Sequence, residues 1–137
     1  MQRMSKIHIW IGFTEKTQKQ FDQYFDQRNA FMFDSQYREK DSSEIILSQF
    51  SKDLGNSHPF DEDFLTVYYN PDSDDRNLAL EELADIDSFE LLIEACNTFG
   101  ITQANAMFFY TDMELQISDS SKQYNDLTYI GVFDWNI

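Results

Sequence analysis

The stretch Lys6-Ile-His-Ile-Trp-Ile-Gly12 decides the fold class. Ile7, Ile9 and Ile11 fall on one side of an extended chain, and His8 and Trp10 fall on the other. A two-residue period carried by β-branched side chains is the signature of a strand, and Gly12 marks its end. Immediately downstream the period changes. Phe21, Tyr24, Phe25 and Arg28 recur at helical spacing behind Thr14, a capping residue, while Lys16, Gln18, Lys19, Gln20, Gln23 and Gln27 take the outer positions. A strand feeding a surface helix makes this a chain of mixed α and β structure.

Reading outward, Asp41-Ser-Ser-Glu44 fits a capping box. The helix it opens carries Ile46, Leu47, Phe50 and Leu54 on one side and closes at Gly55, a residue suited to the left-handed cap. Ala30 to Phe33 reads as a short strand or a buried loop. His58 to Phe64 is a loop leading into a strand ending at Tyr69, and Asn70-Pro-Asp-Ser-Asp-Asp75 is a turn. Residues 77–84 read as a short helix, and Ser88 caps a longer one holding Phe89, Leu92, Ile93, Cys96 and Phe99, closed by Gly100. A buried strand over 105–110, an alternating segment over 113–117, a polar loop over 118–126 and a last strand over 127–135 complete the chain. The order β-α-α-β-α-α-β-β-β predicts an α+β fold, a mixed or antiparallel sheet with helices packed mainly on one face.

The 137 residues suit one domain, and 42% hydrophobic content with thirteen Phe and seven Tyr is enough for a packed core. Charge is the unusual quantity. Ten Lys and Arg face 25 Asp and Glu, a formal net charge of −15. Such a chain repels nucleic-acid phosphates and anionic membranes, and attracts a basic protein. Solubility alone is the plainer account of the same acidity. The lone Cys96 excludes an internal disulfide, and no apolar run reaches the length of a signal peptide or membrane helix, so a cytoplasmic protein is expected.

Most enzyme chemistry fails on inventory. His8 lies in a strand pattern, His58 stands beside a proline, and no G-x-S-x-G elbow presents a serine. Cys96 shares the apolar side of its helix with Leu92 and Phe99, as a buried structural thiol does. The four glycines form no phosphate cradle, and clustered zinc ligands are lacking. Asp72-Ser-Asp-Asp75 imitates the start of a calcium loop, but Asn77 and Leu83 stand where a glycine and a bidentate glutamate belong. The remaining catalytic alternative is a divalent metal or acid–base pair using Asp61 or Asp63, which needs a further acid because adjacent side chains diverge. No cofactor, metal or catalytic residue is assigned.

The acids are unevenly spread. From Asp61 to Glu94 twelve of them face Arg76 alone, whereas the first helix is nearly balanced by Lys16, Lys19 and Arg28. This polarisation makes Asp61, Glu62, Asp63, Asp72, Asp74, Asp75, Glu81, Glu82 and Asp85 the candidate partner-binding residues, with Tyr69 as an aromatic anchor. Phe60 and Tyr68 are further aromatic candidates, although strand alternation turns Tyr68 and Tyr69 to opposite faces. An acidic adaptor domain with an unrelated partner fits the same pattern.

Four motifs in order carry a resemblance. Ile7-His-Ile-Trp-Ile-Gly12 opening on Phe21 and Tyr24-Phe25, then Ser48-Gln-Phe-Ser-Lys-Asp53, then Phe60-Asp-Glu-Asp-Phe64, then Gly100-Ile-Thr-Gln-Ala-Asn-Ala106 resemble the immunity protein 22 family of bacterial polymorphic toxin systems. The resemblance runs from about Lys6 to Tyr110. It implies a single domain over 1–137, encoded beside a secreted toxin that it binds and blocks in the producing cell. The family pattern falls on Trp10, Gly12, Phe50, Asp53, Asp61, Asp63, Phe64 and Asn105, with Gly12 expected to serve a turn and Phe50 and Phe64 the core. Two features depart from it: His58-Pro-Phe60 stands before the acids, and residues 28–40 form an extra stretch.

Overall fold

The computed structural model describes residues 4–27, 46–56, 59–83, 89–112, 115–117, 119 and 121–136. The segment Ala30 to Phe33, the expected capping box at Asp41 to Glu44, His58, the expected cap at Ser88, and Asp85 lie outside these residues. The chain divides into two compact units, one made of residues 1–15 and 63–137 and the other of residues 16–62.

The larger unit is built on a four-stranded antiparallel sheet. Its strands are β1 (Met4–Gly12), β2 (Leu65–Tyr69), β3 (Ala106–Thr111) and β4 (Thr128–Asn136), in the order β2-β3-β1-β4. β1 is thus a central strand, paired with β3 through Ile7↔Thr111 to Gly12↔Ala106 and with β4 on its other side. A central strand is buried on both faces, so His8 and Trp10 are as enclosed as the isoleucines. Ile7, Ile9 and Ile11 pack with Met107, Phe109 and Ile130 against Ala79, Leu80, Leu83, Leu92 and Cys96. The latter residues belong to α3 (Arg76–Leu80), the 3₁₀ turn Glu81–Leu83 and α4 (Phe89–Thr98), so the helices of this unit cover one face of the sheet. α4 presents Leu92 and Cys96 four residues apart on its inner side. It ends in a Schellman motif: Gly100, at φ 73°, lets Ile101 N–H reach the Cys96 carbonyl at 2.8 Å and Gly100 N–H reach Asn97 at 3.1 Å.

The opposite face is aromatic. Trp10 stacks on Phe108 at 4.8 Å between centroids, and packs against Tyr129 at 5.1 Å and Tyr124 at 5.6 Å. Tyr124 falls in the segment read as a polar loop, yet it is wholly buried. A two-residue hairpin explains this. Asn125 and Asp126 both adopt positive φ, 55° and 69°, and Tyr124 and Leu127 exchange both backbone hydrogen bonds at 2.9 Å. The turn folds Tyr124 back onto the sheet beside β4. The alternation read over 113–117 gives no strand in its described part, Leu115 to Ile117.

The smaller unit contains α1 (Gln18–Gln23) and α2 (Gln49–Asp53), both shorter than their periodicity suggests. The cap of α1 is Thr17, which forms a reciprocal capping box with Gln20, and not Thr14. Helix α2 is capped by Ser48, so Ile46 and Leu47 precede it. It closes at Gly55 (φ 81°) as expected, with Asn56 N–H on the Ser51 carbonyl at 3.0 Å. Phe21, Tyr24, Phe25, Phe50 and Phe60 form an edge-to-face cluster with ring separations between 5.1 and 6.4 Å. Tyr24 Oη donates to Asp53 at 2.5 Å, tying α1 to α2.

Burial gives His8 a measurable role in stability. Its Nδ1 is hydrogen-bonded to Tyr129 Oη at 2.9 Å. Burial pushes the imidazole below its ordinary value, while the backbone and charge of Asp112 pull the other way; burial pushes Tyr129 up to about 12. A lowered histidine in the folded state means that the unfolded chain takes up the proton first. Stability is therefore unaffected by His8 above its unfolded value of about 6.5, and declines as pH falls through that value until the folded imidazole also titrates. Urea midpoints measured between about pH 7.5 and pH 5 should fall more steeply for the native chain than for His8→Phe. Parallel profiles would show that His8 is not the group responsible.

Candidate functional site: an acidic cleft at the end of the sheet

The residues of the family pattern are mostly builders of the fold. Asn105 is buried just before β3, where three chain segments meet. Its Oδ1 accepts from Thr14 N–H and its Nδ2 donates to the Thr14 carbonyl, both at 2.9 Å. Its own N–H donates to the Gly12 carbonyl at 3.1 Å, and its carbonyl accepts from Asn70 N–H at 2.7 Å. One asparagine thus satisfies the backbone where β1 ends, where β2 ends and where β3 begins. Thr14 has no role as a cap; it is held by this clamp and donates its hydroxyl to Asp126 at 2.8 Å. Asn105→Ala removes both side-chain bonds to the buried Thr14 backbone and should cost about 2 kcal/mol in urea unfolding. Asn105→Asp keeps the acceptor for Thr14 N–H but turns a carboxylate oxygen toward the Thr14 carbonyl, so at neutral pH it should lose at least as much, and a loss near zero in either variant would disprove the clamp.

Gly12 is the last residue of β1, without positive φ, and a Cβ there would meet Leu127 at ordinary contact distances of 3.6 and 3.7 Å. The expected turn at Gly12 is therefore not formed. Phe50 is fully buried as expected, but Phe64, assigned to the core, is 51% exposed, because it ends the 3₁₀ turn Glu62–Phe64 just outside the sheet.

The candidate partner-binding residues separate between the units. Asp61 and Glu62 belong to the smaller one, where Glu62 accepts from Gln27 at 3.2 Å. Asp63, Asp72, Asp74, Asp75, Glu81 and Glu82 belong to the larger one and are exposed, while Tyr69 is half-buried in β2. The partition concentrates the charge: residues of the larger unit include sixteen Asp and Glu against four Lys and Arg.

A cleft of about 450 Å³ opens where β1 and β2 end, lined by Phe13, Asn70, Pro71, Asp72, Ser73, Asp74 and Asn105. Its acidic wall is held by its own backbone. Asn70 Oδ1 accepts from Asp72 N–H at 2.9 Å, Ser73 Oγ from Asp75 N–H at 3.1 Å, and the Asp74 carbonyl from Ala104 N–H at 2.9 Å. Asp75 is engaged as the cap of α3, accepting from Asn77 N–H at 3.0 Å. The carboxylates of Asp72 and Asp74 are left facing solvent. Arg76, the one cation of the sector, is held away from them by Asn97 Oδ1 at 2.9 Å and the Ile101 carbonyl at 3.0 Å. Asp72, Asp74, Glu81 and Glu82 make no ion pair among the described residues.

Phe13 is the site residue that the sequence reading passed over. It lies just past the strand that Gly12 closes, and its ring is 49% exposed at the cleft. The arrangement offers an aromatic surface beside solvent-facing carboxylates, suited to cationic side chains. Among the described residues no group of three or more His, Cys, Asp or Glu is placed to hold a metal ion. Cys96 is buried, its thiol pushed up by that burial with the Arg76 charge opposing. Among the described residues no helix is long and apolar enough to cross a membrane.

The larger unit is thus an antiparallel sheet with helices on one face and an acidic cleft where its strands end, an α+β architecture. The model of the family described as Immunity protein 22 matches residues 7–136, and the chain belongs to that family. The match continues past Asp112, beyond the motifs recognised in the sequence, through the hairpin and β4. No curated protein and no solved structure matches the chain. Its family suggests a toxin-neutralising role.

Proposed function

We propose that this protein binds and neutralises a cognate bacterial toxin, a basic nuclease-type domain, in the cytoplasm of the producing cell. It acts by binding, not by chemistry, and the acidic face of the larger unit is the contact surface. The observation that carries this reading is the cleft at Phe13, Asp72 and Asp74, whose backbone is held by Asn70 and Ala104 and whose solvent-facing carboxylates are not neutralised by Arg76. A nuclease cleft is built to hold phosphates with Lys and Arg, and carboxylates on a held backbone can occupy the same donors. Preorganisation matters because ordering a mobile acidic loop on binding would subtract from affinity. Glu81 and Glu82 extend the surface at the C-terminal end of α3, where a negative charge opposes the helix dipole. Acids in that position do not serve the helix, which supports a role in recognition.

The test is protection of cells. The chain is co-expressed with the toxin domain encoded beside its gene, and survival is compared for the native protein and for Asp72→Lys/Asp74→Lys/Glu81→Lys/Glu82→Lys. Full protection by the reversed protein at equal abundance would remove the acidic face as the interface.

A further inference from the structure

The two outer strands of the sheet are not equivalent, and the difference points to how a partner attaches. In an antiparallel ladder the N–H and C=O of one residue point to the same side, and successive residues alternate. Two hydrogen bonds set the phase. Asp112 N–H donates to the Lys6 carbonyl at 2.9 Å, continuing the register Ile7↔Thr111. Even-numbered residues of β3 therefore face β1, and Phe109 and Met107 face β2. Their partners in β2 are Thr66 and Tyr68. Asn70, bonded inward to Asn105 at 2.7 Å, has the same phase. The backbone N–H and C=O groups of Leu65 and Val67 consequently point away from the sheet along its outer edge.

Proteins guard such edges with lysines, prolines or bulges. β4, the other outer strand, has one of these features. Its pairing with β1 is interrupted by a bulge between Ile9 and Trp10 near Gly131 (φ 131°). β2, Leu-Thr-Val-Tyr-Tyr, has none of them. Val67 is 37% exposed and Phe64, beside the strand, is half-exposed. The acids bracket this edge, with Asp63 before the strand and Asp72 and Asp74 after it.

We infer that β2 receives an extended segment of the toxin as a fifth strand, a short β-branched run with a basic residue at each end. The inference rests on the toxin-binding reading. Main-chain bonds to Leu65 and Val67 supply the register, and the flanking carboxylates select for Lys or Arg at the two ends. A second copy of this chain is disfavoured, because self-pairing would bring the acidic ends of both copies together.

The test uses an acetylated peptide alternating Thr and Val between terminal lysines, titrated to millimolar concentration against the labelled full chain in amide NMR spectra. The amides of Leu65 and Val67 should shift, with smaller changes along β4. Val67→Pro removes an outward N–H without touching the ladder, so the fold should persist while peptide affinity drops about tenfold. Leu65→Lys/Val67→Lys gives a second variant that places cations against the lysine peptide. Absence of shifts at Leu65 and Val67, or shifts unchanged in a folded Val67→Pro chain, overturns strand addition. A peptide with glutamate in place of lysine separates the two ideas. Equal binding of both peptides at the β2 edge would retain strand addition and discard the acidic selection. Binding of the lysine peptide at Asp72 and Asp74 that Val67→Pro leaves intact would do the reverse.

Discussion

Trp10→Ala should lower the unfolding free energy by about 3–5 kcal/mol, the range for removing a fully buried large aromatic side chain. The ring is wholly enclosed on a central strand, stacked on Phe108 and flanked by Tyr124, Tyr129 and His8. These neighbours come from both partner strands and the hairpin, so the cavity cannot close by moving one loop. Domains are stable by only about 5–15 kcal/mol, so the loss takes a large part of the total. Thermal unfolding should shift down by more than about 10 °C. Trp10→Phe should retain the stacking on Phe108 and lose roughly half as much. A change of less than about 1 kcal/mol in Trp10→Ala would contradict the packing described.

Reversal of Asp72, Asp74, Glu81 and Glu82 to lysine should weaken toxin binding by about 100- to 1000-fold at low salt, or about 3–4 kcal/mol. Each exposed charge contributes little by itself, but four reversals exchange attraction for repulsion over one surface, and the loss should fall mainly on the association rate. The gap should narrow in salt as the screening length shortens from about 10 Å at 0.1 M to about 3 Å at 1 M. The fold should not suffer. None of the four makes an ion pair among the described residues, and a lysine at Glu81 would face the helix end favourably. Surface plasmon resonance across a salt series checks both parts. Affinity that is unchanged, or changed without salt dependence, would exclude an electrostatic interface.

The elements most legible in the sequence are those with a strong local period. The β1 pattern, the strand ending at Tyr69, the strand before Tyr110 and the closing glycines Gly55 and Gly100 all lie where they were expected. Errors cluster where two local signals compete. Thr14 and Thr17 are both fit to cap a helix, and only Thr17 has Gln20 three residues on to complete the box. Ile46 and Leu47 continue a helical spacing that the cap at Ser48 cuts off. Phe13 lies just past the strand that Gly12 closes, where no local period states what its ring faces.

The sequence by itself determined that the chain folds with mixed α and β structure, that it is strongly acidic, and that its motifs are those of an immunity protein family. Period, composition and motif order are properties of neighbouring residues, so they can be read in one dimension. The tertiary structure decided that Asn105 clamps Thr14 across 91 positions, that Tyr124 joins Trp10 in one aromatic cluster, and that most of the acidity belongs to the larger unit. It also decided that Asp72 and Asp74 flank an exposed phenylalanine, and that Leu65 and Val67 turn their backbones outward. Each of these depends on which strands pair and in what register. Non-local hydrogen bonds and packing set that, and no local period encodes it.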